Sequence, residues 1–153
     1  MTAKRIEAVL RPASVAVVGA SDTPGSIGEV LCRNLREGGF RGPVFYVNPR
    51  HATVGAEPSY PDVRSLPQTV DVAIVATPPS TLPAVLEHCG ERGVRGAIIV
   101  SAGFREGGEA GAACASSMLQ VARRYGLRVV GPNSFGVIRT DNGFNASCGA
   151  ALP

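Results

Sequence analysis

Ser14-Val-Ala-Val-Val-Gly19-Ala-Ser-Asp-Thr-Pro-Gly-Ser-Ile-Gly28 is the stretch on which the reading of the chain turns. Ser14–Gly19 is continuously apolar and β-branched rather than alternating, the pattern of a strand buried on both faces. Three glycines follow, and Ile27 to Glu37 then places Ile27, Val30, Leu31, Asn34 and Leu35 on one helical face, with Arg33, Arg36 and Glu37 outward. Gly38-Gly39 supplies the stop. A buried strand, a glycine turn and an amphipathic helix make the first half of a βαβ unit.

The same alternation continues outward. Pro43–Val47 reads as a second strand, ended by Asn48-Pro49, and Arg50–Thr69, with Pro58, Pro61 and Pro67, as an irregular connection with one short helix. Asp71–Ala76 is a third strand, closed by Thr77-Pro78-Pro79. A helix capped by Ser80 runs to Arg92, with Pro83 in its first turn. Gly96–Val100 is a fourth strand, Glu109–Tyr125 an Ala-rich helix stopped by Gly126, and Arg128–Val130 a fifth strand. Strands alternating with helices across short connections predict an α/β, Rossmann-like, doubly wound fold. The expected sheet is five-stranded and mainly parallel, in the order 3-2-1-4-5, with helices on both faces. The chain reads as a single domain over 1–153, and Leu152-Pro153 as a place where a longer chain was cut.

At 153 residues, with 44% hydrophobic and 18% charged, the chain has the composition of one globular domain. Aromatics at 5% and a net charge of +3 argue against a nucleic-acid surface. No apolar run approaches a membrane span, and the start does not read as a signal peptide, because Glu7 and Arg11 interrupt it. Cys32, Cys89, Cys114 and Cys148 form no CxxC and find no zinc spacing with His51 or His88, so no metal is expected. Free thiols without a framework suggest a reducing, cytoplasmic setting.

In an open parallel sheet, ligands bind beyond the carboxyl ends of the strands. Those ends carry the unusual segments. Gly19, Gly25 and Gly28 open a helix, where unpaired amides and the helix dipole hold phosphate oxygens, although G-x5-G-x2-G is not the dinucleotide spacing G-x-G-x-x-G. The second strand ends in Asn48-Pro49-Arg50, without the carboxylate that receives the ribose of NAD about 20 residues on. Arg50 instead suits an extra ribose phosphate: the 3′-phosphate of coenzyme A or, second to it, the 2′-phosphate of NADP. Thr77-Pro78 offers an apolar floor and a hydroxyl, and Ser101-Ala102-Gly103 leaves room for a slender arm such as pantetheine. Catalytic residues are not expected. Ser134 lies outside a G-x-S-x-G elbow, and adjacent His88 and Cys89 point about 100° apart on a helix.

Five ordered motifs carry a resemblance: Val17-Val-Gly-Ala-Ser21 with Pro24–Gly28, Val47-Asn-Pro49, Val70–Ile74, Ser101-Ala-Gly-Phe104 with Glu106, and Gly131-Pro-Asn133. Together they are similar to the CoA-binding domain of NDP-forming (ADP-forming) acyl-CoA synthetases, relatives of the succinyl-CoA synthetase alpha subunit. The resemblance implies coenzyme A or acyl-CoA as ligand. It would place the phosphates at Gly19, Ala20, Ser21, Ile27 and Gly28, and the adenosine end by Asn48, Pro49 and Arg50. The pantetheine path would run along Thr77, Pro78, Ser101, Ala102 and Gly103, with Asn133 near the thiol. It also implies downstream ligase and ATP-grasp parts, in cis or as a separate subunit, because neither His51 nor His88 matches the context of the family's phosphorylated histidine. Thr77 stands where valine is expected, and Phe135 where the commoner motif has leucine. Similar domains are also fused to GNAT-type acetyltransferases, where the chain would sense acyl-CoA, and an NADP-dependent oxidoreductase domain shares the phosphate turn.

Overall fold

A computed structural model describes residues 3–149. An N-terminal helix, α1 (Ala3–Leu10), precedes β1 (Val15–Val18), whose four residues are all buried. Then come α2 (Ile27–Glu37), β2 (Val44–Val47), a hairpin of β3 (Thr53–Val54) and β4 (Glu57–Tyr60), and a 3-10 turn at Val63–Ser65. β5 (Val72–Val75), a 3-10 turn at Pro79–Thr81, α3 (Leu82–Glu91), β6 (Gly96–Ile99), α4 (Gly108–Tyr125) and β7 (Arg128–Val130) complete the main body. A separate two-stranded ladder pairs β8 (Gly136–Arg139) with β9 (Phe144–Ser147).

The main sheet has seven strands in the order β3-β4-β2-β1-β5-β6-β7, parallel except for the β3–β4 pair. The α/β, doubly wound class is as expected, but the strand placement corrects the sequence reading. The strand at Val72–Val75 lies on the far side of β1, not beyond β2. The position outside β2 is taken by Glu57–Tyr60, which pairs in parallel with Tyr46 and Val47. That strand is short, polar and carries Pro58, so it has no apolar signature, and its proline is tolerable only because it lies near the sheet edge.

Alternate residues of β1 feed two cores. Ala16 and Val18 join Ala73, Ile99, Leu86 and Met118 on the face covered by α3 and α4. Val15 and Val17 join Leu31, Leu35, Ile74 and Phe144 on the face covered by α1, α2 and β9. Burial on both faces explains why these strands read as unbroken apolar runs. Buried Asn34 on α2 donates to the carbonyls of Ser147 and Gly149, at 2.9 and 2.8 Å, tying the terminal ladder to the helix.

Smaller departures have local causes. α3 starts after Thr81 rather than at a Ser80 cap, because Pro79 opens a 3-10 turn first and Thr81 makes no side-chain capping bond. Ile27, read on the buried face of α2, is 49% exposed, since the first turn of the helix projects past the sheet edge. Of the helical cysteines, Cys32 and Cys89 are buried and Cys114 is half-buried. Leu152-Pro153 lies outside the described residues.

Candidate functional site

Parallel register sets the site. Val18 pairs with Val47 and with Val75, Val75 with Ile99, and Ile98 with Val130. The exits of five strands therefore open at one edge, bringing Gly19, Asn48, Thr77, Ser101 and Gly131 to one level.

The glycine turn uses its amides in two ways. Those of Gly19 and Ala20 both donate to the Val47 carbonyl, at 2.9 and 3.3 Å, so they are committed to the sheet. The Ser21 hydroxyl oxygen accepts from the Thr23 amide at 3.0 Å. Two of the turn's amides, those of Gly19 and Ala20, are therefore not free to meet a ligand. The amides of Ile27 and Gly28, in the first turn of α2, have no partner among the described residues, and the Ser26 side chain caps the next, Glu29, at 3.2 Å. Unmet amides of this kind, at the positive end of the helix dipole, suit anionic oxygens.

Two glycines make the turn possible. A Cβ on Gly28 would lie 2.1 Å from the Gly19 carbonyl oxygen, so helix and turn approach as closely as backbone allows. Gly25 has φ +79 with open space before it, a left-handed conformation that costs a residue with a Cβ about 1–2 kcal/mol.

At the exit of β2, the Asn48 side chain works as a clasp. Its amide donates to the Ala20 carbonyl at 2.9 Å, and its Oδ1 accepts from the Arg50 amide at 2.9 Å. The second bond folds the backbone of Asn48-Pro49-Arg50 into a tight turn directly after β2. Arg50 is exposed, and its guanidinium has no carboxylate partner among the described residues.

Between these elements and α3 lies a mostly apolar cavity of about 270 Å³, walled by Gly19, Val47, Pro49, Thr77 and Val85 among others. The Thr77 and Thr81 hydroxyls are 2.7 Å apart, and Thr81 also reaches the Pro78 carbonyl at 2.6 Å, so both are engaged. Asp62 and His88 also line this cavity, and the sequence marks neither as a ligand-binding residue. Asp62 lies in the proline-rich connection, where no periodicity marks it. His88 matches no dyad with Cys89, which is buried in the core, no zinc spacing and no phosphohistidine context, so nothing in the sequence marks it for this cavity.

Farther along the edge, a second cavity of about 340 Å³ is lined by Phe104, Arg105, Glu106, Pro132 and Asn133. Asn133 has φ +54, and its amide donates to the Ser101 carbonyl at 2.9 Å. Ser134 docks on the Ile99 carbonyl through its hydroxyl at 3.0 Å. Ser101 is buried, Ala102 exposed, and Gly103, at φ +99, lets the backbone turn away. Of the residues expected at the site, Gly19, Pro49 and Thr77 share the first cavity, and Asn133 lines the second. Phe135, in the same loop, is 63% exposed.

No thiol is activated at this edge. Burial pushes Cys32 up to about 11 in spite of the Ser21 amide, and burial pushes Cys89 up to about 12. Among the described residues no cluster of histidine, cysteine and carboxylate side chains could hold a metal ion, and no helix is long and apolar enough to cross a membrane.

The chain is 40% identical over 148 residues to an ADP-forming acetate–CoA ligase I of Archaeoglobus fulgidus, covering 97% of this chain and 21% of that protein. It is 40% identical to the alpha subunit of ADP-forming acetate–CoA ligase I from Pyrococcus furiosus, covering 94% of this chain and 32% of the subunit. Among solved structures, the dinucleotide-forming acetyl-coenzyme A synthetase 1 of Ca. Korarchaeum cryptofilum, in complex with phosphate and ADP, superposes with a TM-score of 0.87. The identity there is 36%, over 94% of this chain and 31% of the other. The chain thus spans between a fifth and a third of the length of these relatives. Residues 13–140 match the family described as CoA binding domain, and the chain belongs to that family.

Proposed function

We propose that this chain binds coenzyme A across the carboxyl edge of its sheet, as the CoA-binding module of an NDP-forming acyl-CoA synthetase. The observation that carries the reading is that unmet amides at Ile27 and Gly28 open α2 while Arg50, whose guanidinium has no carboxylate partner among the described residues, follows the exit of the neighbouring strand β2. The amides meet a pyrophosphate and Arg50 a ribose 3′-phosphate. Gly19 and Ala20 contribute space rather than donors, Ser21 its hydroxyl proton, and exposed Ile27 an apolar contact. The apolar cavity beside Pro49, Thr77 and Pro78 receives the base. A pantetheine arm then runs past Ser101, Ala102 and Gly103 and delivers its thiol near Asn133.

In this reading the chain presents a thiol and carries no catalytic group of its own. The parent is an acid–thiol ligase, in which the phosphohistidine and the nucleotide site belong to other domains or to a second subunit. Family membership and the 40% identity to ADP-forming ligases over nearly the whole chain support it.

Calorimetry with coenzyme A, dephospho-coenzyme A, NADP and NAD tests the reading. Coenzyme A is expected to bind, and dephospho-coenzyme A to bind at least tenfold more weakly. Binding of NADP alone would assign the edge to an oxidoreductase domain. Binding of acyl-CoA in preference to free coenzyme A would favour the sensing role of an acetyltransferase fusion.

A further inference from the structure

The apolar cavity at the edge has one polar end. Of its lining side chains with polar atoms, Thr77 and Thr81 spend their hydroxyls on each other and on the Pro78 carbonyl. Asp62 spends Oδ1 on Ser65, accepting from its amide at 2.9 Å and its hydroxyl at 2.8 Å. Its Oδ2 has no hydrogen-bond partner among the described residues, and neither has the imidazole of His88, which lies on the facing helix α3. The two side chains are half-buried, beside walls formed by Pro49, Pro61 and Val85. A slot of about 270 Å³ with apolar sides and unspent acceptor and donor groups is the environment of a planar heterocycle with a polar rim.

We propose that Asp62 and His88 read the base of the bound nucleotide: Asp62 Oδ2 accepts a hydrogen bond from the exocyclic amino group of adenine, and the His88 ring donates to a ring nitrogen. The inference rests on the coenzyme A reading above and deepens it by assigning the residues that choose the base. Hypoxanthine tests the assignment, because it replaces the amino donor with a carbonyl oxygen. That oxygen would face a carboxylate, and a site built around a hydrogen bond rejects such a partner strongly.

The probes are adenosine 3′,5′-bisphosphate and inosine 3′,5′-bisphosphate, titrated calorimetrically into this chain. The adenine compound is expected to bind at least tenfold more tightly. Asp62→Asn keeps an oxygen for Ser65 and offers an amide to the base, so the preference should shrink to near parity or invert. His88→Leu, which leaves the Ser65 contact untouched, should weaken the adenine compound severalfold. Equal binding of the two compounds by the unsubstituted chain, or an unchanged preference in Asp62→Asn, would overturn the base-reading role while leaving coenzyme A binding intact. Should Asp62→Asn not fold, the unsubstituted chain and His88→Leu decide the matter between them. Binding of neither compound, nor of coenzyme A, would instead overturn the underlying reading.

Discussion

Asn48 and Ala20 are joined by one hydrogen bond, 2.9 Å from the side-chain amide to the main-chain carbonyl, that fastens the exit of β2 to the turn after β1. The same side chain accepts from the Arg50 amide, so one residue fixes both halves of the proposed phosphate site. Asn48→Ala leaves a carbonyl and an amide unmet, and each unmet buried group costs about 1–3 kcal/mol. The half-buried setting puts the expected loss near the lower end. Urea denaturation should show it, together with weaker coenzyme A binding. Asn48→Asp keeps the Arg50 contact but sets a carboxylate against the Ala20 carbonyl, and should bind more weakly still.

Arg50→Ala separates charge from scaffold. The guanidinium carries no internal ion pair among the described residues, so its removal should leave the melting temperature nearly unchanged. A hydrogen bond to a charged group is worth roughly 1.5–3 kcal/mol, or about ten- to a hundredfold in affinity. Coenzyme A binding should fall by that factor and dephospho-coenzyme A binding hardly at all. Equal losses for the two ligands would remove the 3′-phosphate from Arg50.

Gly28→Ala and Gly25→Ala should fail for different reasons. The first drives a methyl group to 2.1 Å from the Gly19 carbonyl, which the backbone can relieve only by parting helix from turn. Overpacking of this kind costs about 1–3 kcal/mol, readable from urea denaturation, and should abolish binding as the amides move. The second meets no atom within 4 Å but strains a backbone at φ +79. It should cost about 1–2 kcal/mol and spare more of the affinity.

The four thiols should divide by burial. Cys114 and Cys148 are half-buried and should react with a thiol reagent at neutral pH, whereas Cys32 and Cys89 should react only on unfolding. Burial holds Cys32 up to about 11 and Cys89 up to about 12, above the ordinary thiol value of 9.0. Raised folded values mean that the unfolded chain loses these protons first as pH rises. Stability from this source is therefore complete below about pH 9 and declines above it, through the range up to about 11 and 12. Melting temperatures measured from pH 7 to 10.5 should fall at the alkaline end, and less steeply in Cys89→Ala measured against its own neutral value.

Most of the scaffold was legible because burial on both faces writes itself as unbroken apolar runs. β1, β5 and β6 are fully buried strands of this kind, and α2 keeps the limits its periodicity predicts, Ile27 to Glu37. β4 was hidden because its four residues include Glu57 and Pro58, and two are exposed. Missing it displaced the strand at Val72–Val75 to the wrong side of β1. β8 and β9 were unread, and so was their tie to α2, because Asn34 holds the carbonyls of Ser147 and Gly149 from more than 100 residues away, where no local pattern signals it. At the edge, the glycine turn and Asn48-Pro49-Arg50 were legible as segments. Their hydrogen bonding was not, because whether an amide is free depends on which carbonyl faces it. Asp62 and His88 carry no local signal; only folding sets them beside the same hollow.

The main sheet tapers at both margins, to the two residues of β3 and the three of β7. A stray extended segment that tried to add itself would find few rungs before the ladder ran out, which is too few to nucleate a fibre.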